Sequence, residues 1–170
     1  SWSPKKVASV HMLHIDESGN PWIADYLDHT VTQYSPTGDV LLTLGVSGEA
    51  GMDEQHFNMP TDVTTTKHYV FVADGYGNNR IAKFDRAGNY LGMWGGLKPG
   101  TDQGQFILPH SITSLNDRLY VADRGGGRIQ VFDLDGEFLD AWENIIAPWG
   151  IASFNDHIYV VGQTFGNGPY

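Results

Sequence analysis

The chain has no cysteine among its 170 residues, which excludes disulfide bonds and thiolate metal sites. It also lacks a run of the roughly 20 apolar residues that a membrane-spanning helix needs, and its first residues do not show a signal-peptide pattern. Only 10 Lys and Arg residues stand against 20 Asp and Glu residues, which gives a formal net charge of −10. Because the basic residues are few and unclustered, we expect neither a nucleic-acid nor a membrane partner, whereas a divalent cation is easily accommodated.

The sequence shows no helical periodicity, but it contains motifs that recur at a fixed spacing. Asp25, Asp74 and Asp123 end the related motifs WIAD, VFVAD and LYVAD and are spaced 49 residues apart. The connecting stretches GMDEQHFNMP (51–60) and GTDQGQFILP (100–109) align position for position. A fixed period of this size indicates a repeat architecture.

Each repeat contains four short runs rich in Val, Ile, Tyr, Phe and Trp, separated by Gly, Asn, Asp and Pro turns. This pattern predicts four antiparallel strands, and four strands in every roughly 40 to 50 residues are typical of a β-propeller blade. We therefore predict an all-β fold in which residues 1–170 form a single propeller segment of about three and a half four-stranded blades. The predicted blades are 8–46, 60–97, 109–143 and a partial blade at 147–163.

Four residues are expected to meet at one end of these blades. In a four-stranded meander, the start of the first strand lies at the same end as the turn between the second and third strands. His11 and His110 open predicted first strands, whereas Tyr76 and Arg124 lie in predicted second-to-third turns. Two histidines at equivalent positions of alternate blades suit imidazole ligands of a metal, although the spacing alone favours ordinary polar residues of the channel wall.

Other repeated residues point to structure rather than chemistry. Asp25, Asp74 and Asp123 recur in every blade, so we expect them to cap turns by accepting backbone N–H groups. Arg80 and Arg128 also recur and are expected to bridge to a neighbouring blade. The remaining histidines do not occupy matched positions and are expected to be structural: His14, His29, His56, His68 and His157.

The residue motifs of the repeats resemble those of a known family. GQFILP (104–109) followed by a short apolar strand and LYVADRGGGRIQVFDLDGEF (119–138) resembles the NHL repeat. The resemblance covers nearly the entire chain. It implies an NHL-type β-propeller.

Within the NHL propellers, three stretches resemble the catalytic core of peptidyl-α-hydroxyglycine α-amidating lyase, of which the chain would cover about half. VHMLHIDESGNPWIAD (10–25) and LPHSITSL (108–115) resemble the zinc-histidine segments, which implies that His11 and His110 are zinc ligands. DGYGNNRI (74–81), with its one-residue-longer turn, resembles the segment of the catalytic tyrosine, here Tyr76. The arginine that follows Asp123, Arg124, is implied to lie near the active site. The resemblance also implies calcium, a peptide ligand and a secreted or extracytoplasmic location.

The implied reaction is zinc-assisted cleavage of a C–N bond, with Tyr76 as the base, which releases a peptide amide and glyoxylate. The lyases have a third zinc histidine in a blade beyond the fourth, which has no counterpart in this sequence, and the fourth repeat carries Trp149 at the position equivalent to His11 and His110. Gly77 stands where the lyases have a cysteine. Two alternatives therefore stay open. The chain could be a non-catalytic NHL module that binds a peptide or protein, or it could be a degenerate product that retains only the architecture.

The predicted blades make up only part of a ring. A propeller of six such blades needs roughly 250 to 300 residues, and open blades would leave sheet edges and inner faces exposed. Since the sequence starts at Ser1 rather than Met, we also expect that upstream sequence is missing. The alternatives are pairing with a second copy, a fragment of a longer protein, or internal closure by residues 1–10 against 147–163. We favour the first two.

Overall fold

The computed structural model describes residues 7–164, and within that range every regular element is a β-strand. The fourteen strands form three four-stranded antiparallel sheets and one two-stranded sheet, each in up-and-down order. No helix that could cross a membrane occurs in this range. The predicted all-β, partial β-propeller fold is therefore confirmed.

Each sheet is one blade, and the blades are numbered in chain order. Blade 1 contains β1 (Val10–Ile15), β2 (Pro21–Asp25), β3 (Thr30–Tyr34) and β4 (Val40–Leu44). Blade 2 contains β5 (Asp62–Thr65), β6 (Tyr69–Asp74), β7 (Asn79–Asp85) and β8 (Tyr90–Gly96). Blade 3 contains β9 (Pro109–Leu115), β10 (Arg118–Asp123), β11 (Arg128–Asp133) and β12 (Phe138–Trp142). Blade 4 contains β13 (Ala147–Phe154) and β14 (His157–Gln163).

A glycine closes each hairpin between the third and fourth strands of blades 1 to 3. Gly38, Gly88 and Gly136 have φ values of 95°, 89° and 88°, which only glycine adopts at little cost. Each glycine N–H donates to the carbonyl of the residue three positions earlier. This geometry explains why the stretches SPTGD, DRAGN and DLDGE recur in the sequence.

The core lies between successive blades. Successive side chains of a strand point to opposite faces, so Val70 and Val72 of β6 pack towards blade 1, whereas Phe71 and Ala73 pack towards blade 3. A third apolar cluster joins blade 3 to Ile151 of β13. Because each interior blade is covered on both faces, its second strand reads as a continuous apolar run rather than an alternating one.

The repeated aspartates accept backbone N–H groups, as predicted. Asp74 accepts from the N–H of Asn58 and from the guanidinium of Arg80, whose Nε lies 2.8 Å from Asp74 Oδ2. Arg80 also donates to the carbonyls of Met52, Asp53 and His56, in the connector that arrives from blade 1. Asp123 and Arg128 repeat this arrangement with connector 100–109. Both arginines therefore bind the connector that arrives from the preceding blade rather than its sheet.

The first strands of the blades lie side by side and form the inner wall. β1 contacts β5, β5 contacts β9, and β9 contacts β13. Hydroxyl groups link these strands, with Thr64 Oγ1 3.4 Å from Ser114 Oγ and Thr113 Oγ1 3.0 Å from Ser153 Oγ. The order of the blades around the inner wall therefore follows the order of the chain.

Blade 4 leaves one apolar face uncovered. Ile151 faces blade 3, whereas the opposite face of the two strands carries Phe154, Tyr159 and Val161, which are 67%, 55% and 68% exposed. Among residues 7–164, β13 and β14 pair only with each other, so this sheet has two strands. Part of the N-terminal stretch invoked for internal closure, residues 1–6, lies outside the described residues.

We predict that Asp74→Ala lowers the free energy of unfolding by about 3 to 5 kcal/mol, because it leaves the fully buried guanidinium of Arg80 without its carboxylate. Asp135→Ala is the matched control. It removes an equally short ion pair, to Lys83 at 2.9 Å, from an aspartate whose side chain is 84% exposed. Exposed pairs contribute little, so the control should unfold at nearly the wild-type urea concentration. Equal midpoints for the two variants would contradict this account.

We also predict that a second copy covers the uncovered face of blade 4, since an exposed apolar patch of this kind marks an interaction site. Sedimentation velocity at micromolar concentration should show a dimer, and Phe154→Glu should shift it to monomer. Leu91→Glu, at a residue of β8 that is 50% exposed, should leave the dimer intact. A wild-type protein that sediments only as a monomer would contradict this prediction.

Candidate functional site

A β-bulge lies near the start of three of the four inner strands. The pairing register shifts where β1 meets β2, where β9 meets β10 and where β13 meets β14. The residues left out of register are His11, His110 and Trp149. A bulge re-aims the side chain of its extra residue and is common beside functional sites.

A strained turn places the aromatic ring of Tyr76 beside these bulges. Tyr76 lies between two glycines in the turn after β6 and has a φ of 57°, a value that non-glycine residues seldom adopt. A Cβ atom at Gly75 would collide with the carbonyl oxygen of Pro109, and one at Gly77 would collide with the side chain of Asn58. The turn can therefore pack closely against Pro109 and Asn58 only because glycine stands on both sides of Tyr76.

The structure brings three of the four sequence-predicted site residues into direct contact. The hydroxyl of Tyr76 lies 3.0 Å from Nε2 of His110 and 3.3 Å from Nε2 of His11. The two imidazole centroids are 4.8 Å apart. The residues thus meet at one end of the inner wall, as the meander topology predicts. This end, at His11, Tyr76 and His110, is called the mouth.

The tautomer of both histidines follows from their other ring nitrogens. Nδ1 of His11 lies 2.8 Å from the carbonyl oxygen of Thr61, and Nδ1 of His110 lies 2.6 Å from that of Trp149. A carbonyl oxygen can only accept, so Nδ1 carries the hydrogen in each neutral ring and Nε2 is a bare acceptor. The Tyr76 hydroxyl has one hydrogen and can donate it to only one of the two Nε2 atoms, so the other Nε2 atom lacks a donor from Tyr76. Both Nε2 lone pairs are directed at the Tyr76 hydroxyl, and a cation bound there would interact with both.

Burial disfavours the charged form of both imidazoles. It lowers the pKa of His110 to about 4, an effect that the hydrogen bond to the Trp149 carbonyl opposes and that the charges of His11 and Arg124 reinforce. The pKa of His11 is also lowered, chiefly by burial and further by Arg124, against the hydrogen bond to Thr61. Neutral imidazole is the form that binds metal ions.

The fourth predicted residue, Arg124, lies beside this group rather than within it. Its guanidinium carbon is 3.5 Å from the centroid of the Trp149 ring, a cation–π contact. Within residues 7–164 no hydrogen bond or ion pair is recorded for this guanidinium. Arg124 is half-buried, and among the described residues its positive charge at the mouth has no acidic partner.

Two aromatic residues of the mouth have no place in the sequence-based site. The ring centroid of Tyr26 lies 5.7 Å from that of His11 and 6.0 Å from that of Tyr76, and the ring of Trp149 lies 5.8 Å from that of His110. The sequence does contain a signal for Tyr26, because Tyr26 directly follows Asp25 in the same way that Arg124 follows Asp123. An alignment of the turns that follow the repeated aspartates would have identified Tyr26 as a candidate site residue.

The other histidines lie away from this group, as expected of structural residues. His14 bonds to Thr65, His29 accepts the N–H of Met59, and His56 contacts Asp53. His68 and His157 each lie against a tyrosine ring, of Tyr69 and Tyr159 respectively. In residues 7–164 no group of three or more His, Asp or Glu side chains could hold a metal ion. The mouth contains the imidazoles of His11 and His110 and the phenol of Tyr76, and the third bulge residue is Trp149.

Comparison with known proteins places these features in a family. Residues 106–132 match the NHL repeat. The peptidylglycine alpha-amidating monooxygenase of Rattus norvegicus is 42% identical over 133 residues, which cover 74% of this chain and 14% of that protein. A probable peptidyl-alpha-hydroxyglycine alpha-amidating lyase of Caenorhabditis elegans is 37% identical over 126 residues, which cover 72% of this chain and 36% of that protein.

The chain spans well under half the length of each of these relatives. Among solved structures, a hydrazine synthase of Kuenenia stuttgartiensis superimposes on 98% of this chain and 46% of its own, with a TM-score of 0.70 and 15% identity. That likeness shows the fold alone. From the repeats, the fold and the relatives together, the chain is an NHL-repeat β-propeller that resembles the peptidyl-α-hydroxyglycine α-amidating lyases.

Proposed function

We propose that this chain is an amidating-lyase-like protein that binds zinc at His11 and His110 and cleaves the C–N bond of a peptidyl-α-hydroxyglycine. One observation carries the proposal: two neutral imidazoles direct their Nε2 lone pairs at the hydroxyl of Tyr76. The Caenorhabditis elegans relative, whose name includes this activity, is 37% identical over 126 residues, which cover 72% of this chain.

The residues present fit a zinc ion. Metal-bound histidines usually donate their second ring N–H to a backbone carbonyl or a carboxylate, and both imidazoles here do so, to Thr61 and Trp149. Zinc in catalytic sites commonly has three protein ligands and an open position. His11 and His110 supply two nitrogen ligands, so water or substrate oxygens would fill the rest. A bound zinc ion would act as a Lewis acid that lowers the pKa of a substrate hydroxyl.

Tyr76 is the proposed base. Its oxygen takes the proton of the substrate hydroxyl, the C–O bond becomes the carbonyl of glyoxylate, and the C–N bond breaks. The nitrogen then takes a proton, so the products are a peptide amide and glyoxylate and no water is consumed. An ordinary tyrosine has a pKa of about 10. The reaction therefore requires nearby positive charge that favours the phenolate.

Arg124 supplies such a charge from this chain. Tyr76 and Arg124 line the same cavity, and the guanidinium has no recorded acidic partner within residues 7–164 to offset its charge. The cation–π contact with Trp149 holds the guanidinium on that side of the mouth. Arg124 thus belongs to the proposed active site as an electrostatic group.

We predict that the metal-free protein binds one zinc ion per chain and that His110→Ala weakens zinc binding by at least about tenfold, the change that a loss of 1.4 kcal/mol produces. Competition with a chromophoric chelator measures the affinity. His157→Ala, at an exposed histidine of blade 4, should bind zinc like the wild type. Equal affinities for all three proteins would contradict the assignment. Elemental analysis of protein purified without a chelator tests for calcium, which stays a prediction from the resemblance.

A gain-of-binding variant tests the same site from the other direction. Trp149 lies on a bulge equivalent to those of His11 and His110, so Trp149→His should add a third imidazole and strengthen zinc binding by about tenfold or more. Trp142→His places the same substitution on the outer strand of blade 3 and should not change the zinc affinity. An unchanged affinity of Trp149→His would show that the three bulges do not aim at one point.

For activity, we predict that the zinc-loaded protein releases glyoxylate from an α-hydroxyglycine peptide and that Tyr76→Phe lowers the rate by about 10² to 10⁴, the usual contribution of a general base. Tyr159→Phe, on the uncovered face of blade 4, should retain the wild-type rate. Glyoxylate is measured by coupled reduction. Binding of the peptide without glyoxylate release would instead favour the alternative function, a non-catalytic NHL module for a peptide or protein.

A further inference from the structure

The cavity that Tyr76 and Arg124 line lies beside the two histidines. It has a volume of about 530 Å³ and lies between the turn after β10 and the two strands of blade 4. Its main lining residues are Tyr76, Leu108, Arg124, Ala147, Trp149 and Gln163. This volume is in the range of ordinary small-ligand sites.

The walls of this cavity combine apolar surface with one positive charge. Leu108, Ala147 and the indole of Trp149 supply the apolar part, and Trp149 is 39% exposed, so its ring is accessible. Arg124 stacks on that ring and has no recorded hydrogen bond or ion pair within residues 7–164. In a chain of net charge −10, a guanidinium without an acidic partner among the described residues, at the edge of an apolar cavity, suits a ligand with a carboxylate and an apolar group.

The cavity adjoins the site of the proposed reaction. Tyr76 and Trp149 line both this cavity and a smaller one of about 260 Å³, which contains His11 and His110. Tyr76 therefore contacts both spaces, and its hydroxyl lies 3.0 Å from Nε2 of His110. A ligand that reacts at the hydroxyl can extend past the ring into the larger cavity.

We propose that the larger cavity is a specificity subsite for the side chain of the peptide residue that precedes the reacting C-terminal residue, and that it selects apolar and aromatic side chains. The proposal rests on the proposed function for the position of the reacting residue. The C-terminal carboxylate of the peptide complements the charge of Arg124. The apolar side chain covers Leu108, Ala147 and the exposed part of Trp149.

The apolar walls determine how much more tightly a peptide with a large apolar side chain should bind. Burying a large apolar side chain stabilises a complex by about 1.5 to 3 kcal/mol, which corresponds to an affinity ratio of about 10 to 150. A lysine side chain would bring a second positive charge towards Arg124 and would lose that gain. We therefore expect affinities in the order Phe and Leu, then Ala, then Lys.

Binding of non-reactive peptides tests this order. N-acetylated dipeptides that end in glycine lack the α-hydroxyl group and cannot undergo the cleavage. Calorimetry with the zinc-loaded wild-type protein should show that acetyl-Phe-Gly and acetyl-Leu-Gly bind at least about tenfold more tightly than acetyl-Ala-Gly. Equal affinities for the Phe, Leu and Ala peptides would overturn the proposal.

Two variants locate the selectivity in this cavity. Ala147→Leu and Gln163→Phe each fill the space from blade 4, and each should reduce the Phe-to-Ala affinity ratio to about one while acetyl-Ala-Gly still binds. Ala87→Leu makes the same change as the first variant in an exposed hairpin turn of blade 2 and should keep the ratio. Circular dichroism checks that each variant is folded. If a folded filled-cavity variant keeps the wild-type ratio, the subsite lies elsewhere and the proposal fails.

The two proposals fail separately. Selective binding without glyoxylate release from any hydroxyglycine peptide would leave the subsite in place and overturn the proposed reaction. Glyoxylate release at the same rate whether Phe, Leu or Ala precedes the hydroxyglycine, together with equal binding of the three dipeptides, would leave the reaction in place and overturn the subsite.

Discussion

Hydrogen bonds from one blade to the backbone carbonyl of the next hold the mouth together. Nδ1 of His11 donates to Thr61, the hydroxyl of Thr61 donates to Pro109, and Nδ1 of His110 donates to Trp149. Each donor lies near the start of an inner strand, and each acceptor lies at the start of the inner strand that follows. The orientation of both imidazoles therefore depends on how neighbouring blades pack, which couples the chemistry of the site directly to the apolar cores between blades.

The same repeat position carries a threonine in blade 2 and a histidine in blades 1 and 3. Thr61, His11 and His110 make equivalent inter-blade bonds, but the short threonine side chain ends there, whereas each imidazole has a second nitrogen that reaches the mouth. The turn that follows each repeated aspartate varies in the same way and supplies Tyr26, Tyr76 or Arg124. In blades 2 and 3 the buried Asp–Arg pairs keep the connectors in place, so the residues of the following turns can differ without loss of the fold.

Much of the fold is predictable from the sequence, because strand periodicity and the 49-residue spacing are local or repetitive signals. The convergence of His11, Tyr76 and His110 follows from topology alone. The bulges, the tautomers and the stacking of Arg124 on Trp149 were not predictable, since they depend on register shifts of one residue and on backbone atoms of another blade. The roles of these residues in binding and catalysis remain predictions.

The central claim is that Nδ1 carries the hydrogen in both imidazoles and that both Nε2 atoms are bare and aimed at one point. Long-range ¹H–¹⁵N correlation spectra of the metal-free protein at neutral pH report this directly for His11 and His110. We predict the Nδ1–H tautomer for both rings, with both Nε2 resonances displaced when one equivalent of zinc is added. An Nε2–H tautomer in either ring, or Nε2 resonances that zinc leaves unchanged, would contradict the account.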